Sequence, residues 1–256
     1  MLAEERQARI LALVNARGSI SATEIHRKLK VSRETIRRDL ILLAKQNKLR
    51  KTHGGAISLE RSEPAITLRQ ATNVEGKRAI GRRAASLIPD GASVVLASGT
   101  TVQAVADELL ARRNLTVFTN CVTTCAKLIG HNGNRVFMLG GEVQVENRAT
   151  LGRDATDMLA HYFTDFAVIG VGAISPNGWL MDYTREEAEL HSLMLRVART
   201  VAVVADHDKF NRFAPVRVES LEKATYLITD RAPEAAMAEM LAALPVEVLV
   251  GDDETV

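Results

Sequence analysis

Between residues 94 and 250 the chain repeats one pattern, a run of four to six mostly apolar residues followed by a stretch with helical periodicity. The apolar runs are Val94 to Ala97, Leu115 to Thr119, Arg135 to Leu139, Phe166 to Val171, Val201 to Ala205, Tyr226 to Thr229 and Val246 to Val250. Between them lie Val102 to Ala111, Val122 to Ile129, Ala155 to Tyr162, Arg185 to Arg199 and Pro233 to Leu244. Runs this short read as buried strands, since crossing a bilayer takes about 20 apolar residues. Strands that alternate with helices form a mainly parallel sheet, because each helical crossover returns the chain to the same edge. The expectation is therefore an α/β domain whose ligands sit beyond the C-terminal strand ends.

The residues before this pattern differ in charge. Residues 1 to 57 hold 13 Lys+Arg against 5 Asp+Glu, a net of +8, whereas the other 199 hold 20 against 26, a net of −6. A basic module on a larger acidic body suggests a polyanion-binding head. Residues 58–73 (SLERSEPAITLRQATN) show no sustained period and read as a linker, giving domains 1–57 and 74–256. Charges in MLAEERQARI leave no apolar core for a signal peptide, and two cysteines make no disulfide scaffold, so a cytoplasmic location is expected.

Within the head, Ile10, Leu11, Leu13 and Val14 mark a first amphipathic helix. Ser21 and Glu24 form a capping box before a short helix carrying Ile25 and Leu29. Ser32 caps a third helix whose apolar face is Ile36, Leu40 and Leu43, leaving Glu34, Arg37 and Arg38 on the opposite side. Two short helices, the second displaying arginines near its start, match a helix-turn-helix whose second helix enters the major groove. Candidate DNA contacts there are Ser32, Arg33, Glu34, Thr35, Arg37 and Arg38. Lys48 to Lys51 and Ala56 to Leu59 flank a Gly-Gly hairpin, so Lys51, His53, Gly54 and Gly55 form a basic wing.

The stretch VSRETIRRDLILLAKQNKLRKTHGGAI resembles the N-terminal signature of the DeoR family of bacterial transcriptional regulators, and EERQARILALV resembles its first helix. Lys48 and the run Lys45-Gln46-Asn47 depart from the usual pattern without touching the recognition face.

In the body, Ser98-Gly99-Thr100-Thr101 follows the first strand and opens a helix, where backbone N–H groups and hydroxyls can converge on a phosphate. Polar or glycine-rich ends also follow later strands: Asn120, Gly140-Gly141, Gly172, and Asp206 with Lys209. Neither a P-loop nor a dinucleotide fingerprint is present. Cys121 and Cys125 and six scattered histidines make no metal motif, and no metal or cofactor is expected.

This body resembles the DeoR sensor domain, which is similar in fold to ribose-5-phosphate isomerase. SGTT matches its phosphate loop, DFAVIGVGAI a stretch with two spaced aspartates, TREEAEL a Thr-Arg-Glu segment and VVADHDKF an Ala-Asp-x-Ser-Lys segment. Ala97 stands where the family usually has aspartate, leaving Asp182, Glu186 or Glu187 as the carboxylates available to compensate. The resemblance implies a repressor of a carbohydrate or polyol operon, forming a dimer or tetramer on operator DNA. Its effector would be a phosphorylated sugar or polyol such as glycerol 3-phosphate, with the phosphate at Ser98 to Thr101 and Lys209. Asn120, Asp206, Asp182 and Glu186 would sort its hydroxyls. The competing reading is a sugar-phosphate isomerase. Against it, the two aspartate positions hold Asp165 and Val168, and Trp179-Leu180-Met181 replaces the lysine and glycine run, so no catalytic residues are assigned.

Overall fold

The computed structural model describes residues 2–17, 19–46, 48–52, 54–58 and 63–251; His53 and residues 59–62 of the expected linker lie outside the described residues. The chain divides into two compact units, Met1–Pro64 and Ala65–Val256.

The first unit contains α1 (Ala3–Arg17), β1 (Ser19–Ser21), α2 (Ala22–Leu29), α3 (Arg33–Lys45), β2 (Arg50–Lys51) and β3 (Gly55–Ile57). Ser21 caps α2 by accepting from the Glu24 N–H at 3.1 Å, and Ser32 caps α3 by accepting from the Thr35 N–H at 3.1 Å. Lys30 ends α2 in the left-handed region at φ 55°, with its N–H on the His26 carbonyl at 2.8 Å, which reverses the chain between the two helices. Ile10, Val14, Ile25, Ile36, Leu40 and Leu43 form the core, one apolar stripe from each helix. The antiparallel sheet has the order β1-β3-β2, one strand more than the two-stranded wing expected. Gly55 permits the third: it lies opposite Ser21, where a Cβ would run into the Ile20 carbonyl oxygen.

One polar contact fixes α1 to α3. Arg6 Nε and Nη2 donate to Asp39 Oδ2 and Oδ1 at 2.5 and 3.1 Å, and Gln7 Nε2 adds a 3.1 Å bond to Oδ1. Burial opposes the charged form of Asp39, yet the bonds from Arg6 and Gln7 hold its pKa below the ordinary carboxylate value.

The second unit runs α4 (Ile66–Ala71), α5 (Val74–Ser86), β4 (Ser93–Leu96), α6 (Thr100–Glu108), β5 (Thr116–Thr119), α7 (Val122–Leu128) and β6 (Arg135–Met138). The hairpin β7 (Val143–Gln144) and β8 (Ala149–Thr150) follows, then α8 (Arg153–Leu159), β9 (Thr164–Gly170), β10 (Ala173–Ile174), β11 (Trp179–Asp182) and α9 (Arg185–Met194). The chain continues through β12 (Ala198–Val204), β13 (Val216–Ser220), β14 (Tyr226–Thr229), α10 (Ala235–Ala242) and β15 (Glu247–Val250).

The seven expected strands form one parallel sheet in the order β15-β14-β12-β9-β4-β5-β6. Val94, Val95, Leu96, Ala167, Val168 and Ile169 are all buried, as strands covered on both faces require. A second sheet, β10-β11-β13, is antiparallel and carries no apolar run long enough to announce it. From β4 the chain moves outward to β5 and β6, then returns to the other side of β4 as β9, so β4 and β9 flank a topological switch point. Ser93 N and Oγ donate to Asp165 Oδ2 at 2.9 and 2.6 Å, joining the two strands at their N-terminal ends.

Two stretches differ from their expected form. Residues 66–71, read as linker, form α4 and belong to the second unit. The helix expected over Arg185 to Arg199 stops at Met194, because residues from Ala198 pair with β9 from Thr164 onward.

Arg6→Met leaves the Asp39 carboxylate buried without its cation, and is expected to cost the first unit about 3 kcal/mol. Because the folded pKa of Asp39 is depressed, its contribution is complete above the unfolded value of about 3.9 and is lost as pH falls through the folded value. Urea titrations of wild type and Asp39→Asn should therefore differ at pH 7 and converge in acid.

Candidate functional site

Each unit carries one candidate site. On the first, α3 turns Ile36, Leu40 and Leu43 inward, so that Ser32, Arg33, Glu34, Arg37 and Arg38 are exposed and Thr35 is half-buried. The Ser32 and Thr35 hydroxyls lie 2.8 Å apart in the first turn. Glu34 accepts from Arg37 Nε and Nη2 at 2.9 and 3.0 Å and from Arg38 Nε at 3.1 Å. The hydrogen bond from Arg37, with that from Arg38, pulls the Glu34 pKa down to about 2, so the carboxylate stays charged. On the wing, Lys51 and Gly54 are exposed, while Gly55 is buried between β1 and β2 and acts by its small size.

On the second unit, the expected loops gather at the C-terminal edge of the parallel sheet. Gly99 takes φ 125° and is the N-cap of α6, and among the described residues no side-chain cap bond is made there. Its first N–H groups therefore face the switch point beside Ser98 and Thr101, both 7% exposed. Asn120, at the end of β5, is fully buried; its Nδ2 donates to the Thr150 carbonyl at 3.0 Å and reaches Ser98 Oγ at 3.5 Å. Thr150 Oγ1 in turn donates to the Leu139 carbonyl at 2.7 Å, just before Gly140 and Gly141. Among the described residues Asn120 Oδ1 has no hydrogen-bond donor.

Two strands from β4 and three from β5, beyond β12, Asp206 is also buried and its Oδ1 has no donor among the described residues. Burial raises the Asp206 pKa, and Lys209 and Lys77 oppose that shift. Lys77 is the residue that sequence reasoning passed over. Its ammonium donates to the carbonyls of Arg69 and Thr72, the latter at 2.7 Å, and lies 4.0 Å from Asp206 Oδ2. Burial lowers its pKa and Asp206 opposes the shift. A signal for it exists: Lys77, Ile80, Gly81 and Ala84 fall at i, i+3, i+4 and i+7, which places a lysine on the apolar stripe of α5.

The loop holding Asp206 and Lys209 is itself fastened. Asp230 accepts from His207 N at 2.7 Å and from Asn73 Nδ2 at 2.9 Å, and lies 2.6 Å from His207 Nδ1. Further contacts hold α4 against this edge: Gln70 Nε2 donates to Gln103 Oε1 at 3.3 Å, and Arg69 Nη2 to Asn147 Oδ1 at 2.7 Å. Asn147 Nδ2 then donates to Glu187 Oε1 at 2.6 Å.

The remaining carboxylates separate. Asp182 is buried, accepts from the Gly172 N–H at 2.9 Å and meets His191 Nδ1 at 2.7 Å, so it organises the loop after β9 from within. Glu186 is exposed, whereas its neighbour Glu187 is buried and accepts from Thr184 and Asn147. Asp165 lies at the start of β9, the end of the strand opposite the loops, where its bonds from Ser93 lower its pKa. It is a strand fastener, out of reach of a ligand at Ser98 to Thr101. Among the described residues there is no group of three or more His, Cys, Asp or Glu able to hold a metal ion.

Residues 6–62 match the DeoR-like helix-turn-helix domain, and residues 72–231 match the DeoR C terminal sensor domain. The chain belongs to the DeoR family. It is 36% identical over 256 residues to the HTH-type transcriptional repressor GlcR of Bacillus subtilis, covering 99% of this chain and 98% of that protein. It is 32% identical over 239 residues to the glycerol-3-phosphate regulon repressor of Escherichia coli, covering 93% and 94%. Among solved structures, ribose 5-phosphate isomerase A from Methanocaldococcus jannaschii matches with TM-score 0.41 and 15% identity, over 54% of this chain and 55% of that one. Membership of the DeoR family decides between the two readings of the sequence: the protein is a DNA-binding transcriptional regulator and not an isomerase.

Lys77→Met leaves Asp206 without one of its two neighbouring ammonium groups and frees two carbonyls at the end of α4. The expected cost is about 2–4 kcal/mol of sensor stability, measured by urea unfolding of the full chain.

Proposed function

We propose that this DeoR-family regulator is a cytoplasmic repressor whose sensor binds a phosphorylated sugar or polyol. It reads operator DNA through α3 and the β2–β3 wing as a homodimer or homotetramer. The observation that carries the effector reading is the sheet edge itself. It offers a helix start at Ser98 to Thr101 with a glycine as N-cap, a lysine at 209, and two buried acceptors, Asn120 Oδ1 and Asp206 Oδ1, that have no donors among the described residues. A helix start and an ammonium suit a phosphate, and buried acceptors suit hydroxyl groups that donate. The ends of β4 and β12 are two strands apart, about 10 Å, which a short phosphorylated carbon chain can span. The glycerol-3-phosphate repressor among the relatives agrees with this chemistry.

Regulation then has a physical route. A ligand that engages Asp206 or Lys209 alters the surroundings of Lys77, whose ammonium also holds the carbonyl end of α4. That helix begins at Ile66, with Ala65 alone between it and Pro64, where the first unit ends.

Calorimetry against phosphosugars, phosphopolyols and their dephosphorylated counterparts is expected to show binding only when phosphate is present. Thr100→Val and Lys209→Ala should each weaken it by about tenfold or more; equal affinity with and without phosphate would return Ser98 to Thr101 to an ordinary helix start. In gel shifts, Arg37→Ala with Arg38→Ala should reduce operator affinity and flatten its salt dependence while effector binding is unchanged.

A further inference from the structure

The face of α3 that meets DNA carries one acid among its bases. Spacings of three and four place Glu34 one turn before Arg37 and Arg38, on the same side of the helix. Its carboxylate takes both edge nitrogens of Arg37 and the Nε of Arg38. One of the forks with which Arg37 would grip guanine O6 and N7, or a phosphate, its Nε–Nη2 side, is thereby already occupied. All three side chains remain open to solvent, at 51% exposure for Glu34, 60% for Arg37 and 77% for Arg38. Pairs this exposed are weak and exchange readily for another partner.

A carboxylate at this position also has a cost on any duplex, because it faces a surface of phosphates and mostly acceptor groups. That cost is recovered only where a donor meets it. In the major groove the donors are the amino groups of cytosine and adenine, and cytosine N4 is the group a glutamate accepts from most readily. One G·C pair presents both halves of the exchange: acceptors on guanine for an arginine and a donor on cytosine for the glutamate.

Given α3 as the recognition helix, the reading above on which this rests, we propose that Glu34 is the specificity-determining residue of the DNA-binding face. It keeps Arg37 and Arg38 paired over non-operator sequence and releases them where a base amino group takes their place. Each operator half-site then contains a G·C pair under the first turn of α3, and the acid lowers affinity for all other DNA.

The test uses the full chain, a duplex enriched from a random pool by the wild-type protein, and a scrambled duplex of the same length. Fluorescence anisotropy across salt concentrations compares wild type, Glu34→Gln, Glu34→Ala and the Arg37→Ala/Arg38→Ala double variant, with circular dichroism melts to verify folding. Glu34→Gln keeps the size of the side chain and removes the charge. It is expected to bind the scrambled duplex roughly five- to tenfold tighter, with a salt slope steeper by about one. The enriched duplex should gain nothing, so the ratio of the two affinities falls about tenfold. Both Glu34 variants changing affinity by the same factor on both duplexes, or leaving the ratio intact, would overturn the proposal. If the ratio is intact while the arginine variant loses binding, only the role of Glu34 falls. If the arginine variant also binds as wild type does, the placement of α3 on DNA falls with it.

Discussion

The adjacency of β4 and β9 is the constraint on which the sensor unit depends. These strands are neighbours in the sheet although the chain visits β5 and β6 between them. Ser93 and Asp165 fasten their N-terminal ends, and the Ala97 N–H bonds the Val168 carbonyl near their C-terminal ends. A parallel sheet whose order reverses at one pair of strands must part its loops there, because the crossovers on either side leave in opposite directions. The crevice so formed receives the start of α6 from one strand and the Gly170-Val171-Gly172 loop from the other. The position of the candidate effector site thus follows from strand order.

Buried charge does a second kind of positioning, and it does so in both units. Arg6 with Asp39 ties helices 33 residues apart in sequence, and Lys77 with Asp206 ties α5 to the loop beyond β12. In each case one group alone would be left charged in the interior, so removing either partner costs more than the pair itself contributes. The Glu34, Arg37 and Arg38 group is the converse. It is solvated and contributes little to folding, and pairs so exposed exchange partners readily.

Much of this was legible in the residues themselves. Ser21 and Ser32 as helix caps, the apolar stripe of α3, the seven strands of the parallel sheet and the loops that end them all follow from spacings within one or two turns or one strand. Other features were not legible. α4 is six residues long, too short to show a period, and it is helical because Lys77, Gln103 and Asn147 hold it. The third strand of the wing is three residues long and exists because a glycine stands opposite it.

The carboxylates show where local reading stops. Glu186 and Glu187 are equivalent as residues, and only the packing of α9 turns the second inward to Asn147 while the first meets solvent. Asp165 resembles a pocket acid by its motif, yet strand direction carries it to the far end of the sheet. By itself the sequence determined the charge division, the helical faces and caps of the first unit, and the seven strands of the parallel sheet, because each is set by neighbours along the chain. Tertiary structure decided which polar groups meet. Asn73 finds Asp230 across 157 residues, and such a pairing depends on strand order and direction, which no local period encodes.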